Sequence, residues 1–264
     1  RIGDALLLLE HPHVYTLGRG AAERYLTAPP RDVPIYRVSR GGQVTYHGPG
    51  QMIAYPILKL EGSGRDVHAY LRALESVIIE TLRIYGIQAQ RRERLTGVWV
   101  GTRKIASIGV GIRRWITLHG LALNVNSDLG FFERIVPCGI EGCQMTSIAR
   151  EGRPDVALPA VASALAESFA AVFGYQSIIP LNREEITFEP SPTFGCERIS
   201  PLPSSESSSG RATFEPSPTI GCGRSSPTPS PTIGCGRGQG EGSDTLQAIS
   251  FPLLRRGGNE SSVS

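Results

Sequence analysis

Apolar residues recur in short runs broken by glycine, proline and polar clusters, and only two stretches carry helical spacing. Ala5–Leu9 is a compact apolar block, short enough for a buried strand. Ile35–Ser39 and Met52–Leu60 have strand character, and Pro56 predicts an edge strand or a bulge for the second. Asp66 is placed to cap a helix whose apolar positions are Val67, Tyr70, Leu71, Leu74, Val77, Ile78 and Leu82, ended by Gly86. Val98–Val100, the turn Gly101-Thr102-Arg103 and Ile105–Ile112 read as a hairpin. Trp115–Val125 continues it as a further strand with a bulge-prone Gly120. Pro159–Phe173 is a second amphipathic helix, closed by Gly174. Strands come in runs and do not alternate with helices, which predicts an α+β domain with a mixed or antiparallel sheet and flanking helices.

This patterning fades after residue 186. Nearly half of residues 187–264 are proline, glycine or serine, a low-complexity composition. Thr187-Phe188-Glu189-Pro190-Ser191-Pro192 returns as Thr213-Phe214-Glu215-Pro216-Ser217-Pro218, and each copy runs on to a cysteine, Cys196 or Cys222. A shorter copy ends at Cys235. Each repeat holds too few apolar residues to offset the entropy of ordering it. The expectation is a folded domain over 1–186 and a disordered tail over 187–264 with no function of its own.

Charge and cysteine usage narrow the classes. A net charge of +3 over 264 residues is too mild to point to nucleic acid or a membrane surface. No apolar run approaches the ~18 residues of a membrane span. Ile2–Leu9 has no basic segment before it and no small-residue cleavage site, so no signal peptide is expected. Five cysteines, an odd number, then argue against a disulfide framework and for a reducing cytoplasm. Cys138 and Cys143 make at most half of a metal site, and no second pair has zinc-like spacing, so no metal is expected.

Three segments carry candidate chemistry. Residues 40–51, from Arg40 to Gln51, pack four glycines and a proline among Arg40, Gln43, Tyr46 and His47, a loop that lets backbone approach a ligand. It lacks the glycine spacing of a dinucleotide fingerprint. Lys104 stands at the mouth of the hairpin, and read alone it is a solvated lysine guarding a strand end. Cys138 sits between Pro137 and Gly139, and read alone it is an inert buried thiol. A neighbouring ammonium would change that, because an unperturbed thiol, with a pKa near ~8.5, is only slightly ionised at neutral pH.

In this order, the glycine loop, Lys104-Ile105-Ala106-Ser107-Ile108-Gly109, the strand from Trp115 to Val125 and Pro137-Cys138-Gly139-Ile140 resemble the octanoyltransferases of lipoate biosynthesis. Leu8 to Arg19 is similar to the family's early segment, and the resemblance runs from about Asp4 to Phe173. Family members carry a further helix and strand before the position of Asp4, and the repetitive tail has no counterpart among them. The resemblance implies a biotin/lipoate-protein ligase-like α+β fold. It implies transfer of an octanoyl group from octanoyl-acyl carrier protein to a lysine of lipoyl domains, those of 2-oxoacid dehydrogenases and of the glycine cleavage H protein. Cys138 matches the acyl-thioester nucleophile, and Lys104 the residue that lowers its pKa. Arg40, Gly41, Gly42, Gln43, Val44, Thr45, Tyr46 and His47, then Ser107, Ile108 and Gly109, then Gly120, Leu121 and Ala122, match the substrate-binding stretches. Amides near Gly139 or Ile108 are candidates to hold the oxyanion. No cofactor is implied, because the incoming thioester already carries the energy. His47 and His119 compete with Lys104 as the partner of the thiol. An ATP-dependent lipoate- or biotin-protein ligase and a non-catalytic carrier-binding module are the alternative readings.

Overall fold

The computed structural model describes residues 4–28, 31–181, 197–199 and 251–256. The strands are β1 (Ala5–Leu9), β2 (Val14–Leu17), β3 (Ile35–Arg37), β4 (Val44–His47), β5 (Gln51–Ile57), β6 (Gln90–Arg92), β7 (Leu95–Val100), β8 (Arg103–Arg113), β9 (Ile116–Asn124), β10 (Tyr175–Leu181), β11 (Glu197–Ile199) and β12 (Phe251–Arg256). Two helices, α1 (Val67–Ile84) and α2 (Leu158–Phe173), and four short 3-10 turns complete the regular structure among the described residues. An eight-stranded sheet runs β10-β12-β1-β5-β9-β8-β7-β6, and a four-stranded one runs β11-β3-β2-β4. All pairings are antiparallel except β2 with β3, which makes the small sheet mixed.

Helix α1 starts where the cap lies: Asp66 Oδ1 accepts from the backbone N–H of His68 at 2.8 Å and of Ala69 at 3.0 Å. Its stripe of Tyr70, Leu74, Val77, Ile78 and Leu82 is buried, while Val67 is exposed at the first turn. Val161, Leu165 and Phe169 of α2 join the same core. Strand alternation supplies the other side, with Leu6 and Leu8 of β1 and Met52 and Ala54 of β5 turned toward the helices. A second, smaller core of Tyr15, Leu17, Ile35, Val44, Tyr46, Phe132 and Ile135 fixes the four-stranded sheet against residues 131–145.

The structure corrects two expectations in the sheet. The strand holding Pro56 is central, between β1 and β9, and not an edge. Its ladder to β9 stops at Ala54, so the missing N–H of Pro56 breaks no bond on that side. There the Thr117 hydroxyl donates to Pro56 O at 2.7 Å and accepts from Leu58 N–H at 2.8 Å, patching the irregular stretch. Gly120 is no bulge either, because the β8–β9 register passes through it unbroken, Gly109 opposite Gly120. A side chain at Gly120 would run into the carbonyl oxygen of Ala54, so glycine is what lets β9 lie this close to β5.

Most of 187–264 lies outside the described residues, Cys196, Cys222 and Cys235 among it. Two short pieces are described, and both add to sheets: β11 pairs with β3, and β12 lies between β1 and β10. Among the described residues no helix is long and apolar enough to cross a membrane.

Candidate active site

Between the two sheets lies a cavity of about 600 Å³ with largely apolar walls, including Val14, Val38, Leu95, Ile108, Leu121 and Ile140. Cys138 and Lys104 both line it. Their side chains meet, with Lys104 Nζ donating to Cys138 Sγ at 3.2 Å.

Each partner is held by its backbone. Cys138 occupies the middle of a 3-10 turn, Pro137–Gly139, with φ 57°, a left-handed conformation costly for a residue with a side chain. Such strain persists only where the surroundings impose it, and here the turn is pinned by Gly139 N–H to Val136 O and Ile140 N–H to Pro137 O. The Gly139 amide, a candidate for the oxyanion, is therefore already engaged. Lys104 is 1% exposed, which overturns the reading of a solvated gatekeeper. Its backbone N–H donates to Gln144 O at 2.8 Å, and its carbonyl accepts from Thr146 N–H at 2.9 Å. The segment that follows the cysteine turn thus grips the lysine directly. Nζ donates also to Thr96 O at 3.1 Å and lies 4.9 Å from the centre of the Trp99 ring, so the buried charge is met on several sides. Room for it comes from Gly97, where a Cβ would stand 2.7 Å from Lys104 Cε. The N–H of Gly97 donates to Oε1 of the buried Glu75 on α1, which fixes this stretch of β7.

Burial pushes the Cys138 thiol up, but the Lys104 charge, hydrogen bonds from Ser107 and Lys104, and the Arg40 charge together outweigh it. The thiol therefore ionises below its ordinary value. Ser107 Oγ lies 3.6 Å from the sulfur. Cys143, five residues on, has among the described residues only a long contact to Gln144 O at 3.9 Å, and burial raises its thiol. It lines a separate cavity on the far side of the turn. Of the two thiols, only Cys138 has a cation against its sulfur and ionises below its ordinary value, the surroundings a nucleophilic thiol needs.

The remaining predicted residues divide by where they point. Arg40, Gly42, Gln43, Thr45, His47, Ser107, Ile108, Gly109, Gly120, Leu121 and Ala122 line the cavity, whereas Gly41, Val44 and Tyr46 do not. Val44 and Tyr46 alternate with Thr45 and His47 along β4 and so face the small core instead. Arg40 is 8% exposed and spends its guanidinium on the chain: Nη1 donates to Gly41 O and Gln43 O, Nη2 to Thr16 O and Thr16 Oγ1. Gln43 bridges to Gly20 O and Ala22 N–H, so both polar residues organise the glycine loop. Sequence reasoning missed His11, His13 and Tyr55, which also line the cavity. Tyr55 OH and His11 Nε2 lie 2.7 Å apart, an arrangement set by the β1–β5 register that puts Leu7 opposite Tyr55.

Neither histidine competitor reaches the thiol. His119 Nε2 pairs with Ser39 Oγ at 2.9 Å, and His47 Nδ1 pairs with Gln51 Oε1 at 2.8 Å. The polarity of the His47 bond is dictated from a distance. Thr146 O can only accept, so Asn124 must present its NH₂ there (3.0 Å) and its oxygen to Gln51 Nε2 (2.8 Å). Gln51 then offers its own oxygen to His47, which must carry its proton on Nδ1 and a bare lone pair on Nε2. Burial first, then the Arg40 charge among others, pushes His47 down to about 3 and His119 to about 4, so both are neutral near pH 7. Their folded values lie below the ordinary ~6.5, so stability from keeping them neutral is full above pH 6.5 and is lost on acidification, by at most about 1.4 kcal/mol per pH unit for each histidine. The urea midpoint should fall steadily from pH 7 to pH 5, and should fall less steeply in His47→Gln. A flat midpoint over that range would contradict the buried neutral rings.

Among the described residues no group of three or more histidine, cysteine or acidic side chains is arranged to hold a metal.

Residues 1–170 match the lipoyl protein ligase A/B catalytic domain family. An octanoyltransferase of Gloeobacter violaceus is 50% identical over 173 residues, covering 66% of this chain and 77% of that protein. One from Synechococcus elongatus is 52% identical over 172 residues, covering 64% of this chain and 73% of the relative. Among solved structures, a lipoate-protein ligase A bound with ATP superposes with TM-score 0.54 at 19% identity, over 65% of this chain and 73% of that one. A bi-partite lipoate protein ligase from Thermoplasma acidophilum gives 0.52 at 18%, over 65% and 71%. The fold is thus shared with ligases, but the close sequence relatives are transferases, and the chain belongs to the octanoyltransferases within the lipoyl protein ligase A/B catalytic domain family.

Proposed function

We propose that the chain takes an octanoyl group from the pantetheine thioester of acyl carrier protein onto Cys138 and passes it to a lysine of a lipoyl domain, in 2-oxoacid dehydrogenases or the glycine cleavage H protein. The observation that carries this reading is the 3.2 Å contact between Lys104 and Cys138 at the side of an apolar cavity. The Cys138 thiolate attacks the thioester carbon, and the carbonyl electrons move onto oxygen. As the carbonyl re-forms, the pantetheine sulfur leaves and takes a proton from Lys104. That transfer also removes a charge which would otherwise stay buried without its counter-ion once the sulfur is acylated. Neutral Lys104 then receives the proton shed by the attacking amine, Cys138 departs as thiolate, and the ion pair is restored. The energy comes from the incoming thioester, and no step requires a nucleotide. Two unbonded cysteines among the described residues suit a reducing compartment, and we place the reaction in the cytoplasm.

The test is incubation with octanoyl-acyl carrier protein in the absence of ATP, followed by intact mass and peptide mapping. An octanoyl adduct on Cys138 that is discharged by an apo lipoyl domain is expected. Label reaching the lipoyl domain only when ATP and free octanoate are supplied would make the chain a ligase, and no transfer under either condition would leave a binding module.

A further inference from the structure

An acyl transfer through Cys138 must hold negative charge twice, on sulfur before attack and on the carbonyl oxygen after it. The donors around the cysteine are mostly committed. Gly139 N–H is bound to Val136 O at 3.0 Å and Ile140 N–H to Pro137 O at 3.1 Å. The terminal nitrogens of Arg40 serve Gly41, Gln43 and Thr16, and its Nε, though without a partner among the described residues, is fully buried. Lys104 Nζ is buried between Thr96 O and the Trp99 ring, and its proton is the one the leaving sulfur needs. Ser107 differs from all of these. It lies on β8 opposite Ala122, lines the cavity, and is only partly buried. Among the described residues its hydroxyl has a single hydrogen-bond partner, Cys138 Sγ, at 3.6 Å.

We propose that Ser107 is a catalytic residue whose hydroxyl first donates to the Cys138 thiolate and then swings to the oxyanion of the tetrahedral intermediate. This deepens the acyl-transfer reading and rests on it. The Ser107 hydrogen never leaves its oxygen. When the S–C bond forms, the sulfur loses its charge and its claim on the donor, and the new oxyanion lies one bond away from the acylated carbon. A hydroxyl, unlike a backbone amide, rotates about one bond at little cost, so a single donor follows the charge from sulfur to oxygen and back. The long 3.6 Å contact suits a group that must let go.

The test separates this from a role in binding substrate, and from failure of the acyl-transfer reading. p-Nitrophenyl octanoate serves as donor in single-turnover acylation, because its leaving group needs no proton and no carrier docks. Ser107→Ala should lower the acylation rate constant by about 10²-fold, the scale for one lost oxyanion donor, with little change in the concentration for half-saturation. Its midpoint for iodoacetamide alkylation of Cys138 should move to higher pH, and Ser107→Thr should recover both. Ser107→Ala acylating at the wild-type rate, or losing only half-saturation while threonine rescues nothing, would overturn the proposal. Wild-type protein acylated by the ester but not by octanoyl-acyl carrier protein would overturn the carrier reading and leave Ser107 in place.

Discussion

Cys138→Ala should form no octanoyl adduct and transfer no octanoate, a loss on the order of 10⁴-fold or more, as expected when a covalent nucleophile is removed. Cys143→Ala should transfer at close to the normal rate. The contrast is sharp because the two thiols are five residues apart and differ in surroundings. Cys138 has Lys104 at 3.2 Å and Ser107 at 3.6 Å, while Cys143 lines a different cavity and, among the described residues, has no donor to its sulfur. Removing Cys138 also strands the buried Lys104 charge, so circular dichroism and the urea midpoint must accompany the assay. Thr96 O and Trp99 remain to hold the ammonium, and the variant is expected to stay folded. An adduct that survives in Cys138→Ala and disappears in Cys143→Ala would reverse the assignment.

Lys104→Met should be the second most damaging change, and its signature is a shift in pH dependence. In the native site burial raises the Cys138 thiol, and Lys104 is the main influence that brings it down. Without the cation the burial stays, so the alkylation midpoint should rise, and each pH unit of that rise removes about tenfold of the thiolate at neutral pH. The acid limb of the acylation profile should move to higher pH by the same amount. Loss of the proton donor adds to this, and octanoyl transfer at pH 7 should fall by about 10³-fold. Lys104→Arg divides the two contributions. It keeps a cation that cannot give up its proton, so the midpoint should stay low while transfer still fails. A Lys104→Arg protein working at near the normal rate would show that charge alone matters.

What the sequence made legible follows the range of the interactions involved. Helix α1 was readable from its own residues, because the Asp66 cap and the apolar spacing are local. So were the turn at 101–102 and the β8–β9 pair. The position of Pro56 was misleading, because only the place where β9 stops pairing decides whether its missing N–H matters. Lys104 and Cys138, taken singly, each looked ordinary, and the resemblance of four ordered segments was what joined them. One physical signal was nonetheless present. Gly97 interrupts an otherwise well-formed strand, and a glycine there marks a close approach, in this case by the lysine. His11 and Tyr55 could not be anticipated, since a one-residue change in the β1–β5 register would have turned Tyr55 to the other face.

Burial of Lys104 carries a consequence for ionic strength. Mobile ions do not penetrate between Lys104 and Cys138, so added salt leaves the attraction that ionises the thiol nearly untouched. Arginines such as Arg94 lie out in solvent, where salt screens them strongly, so whatever they contribute to drawing in a charged protein partner fades as salt rises. Reactivity of the isolated site and productive encounter with its partners therefore answer to different features of the medium. A dilute medium and a concentrated one would find the same thiol waiting, and would differ only in how often it is visited.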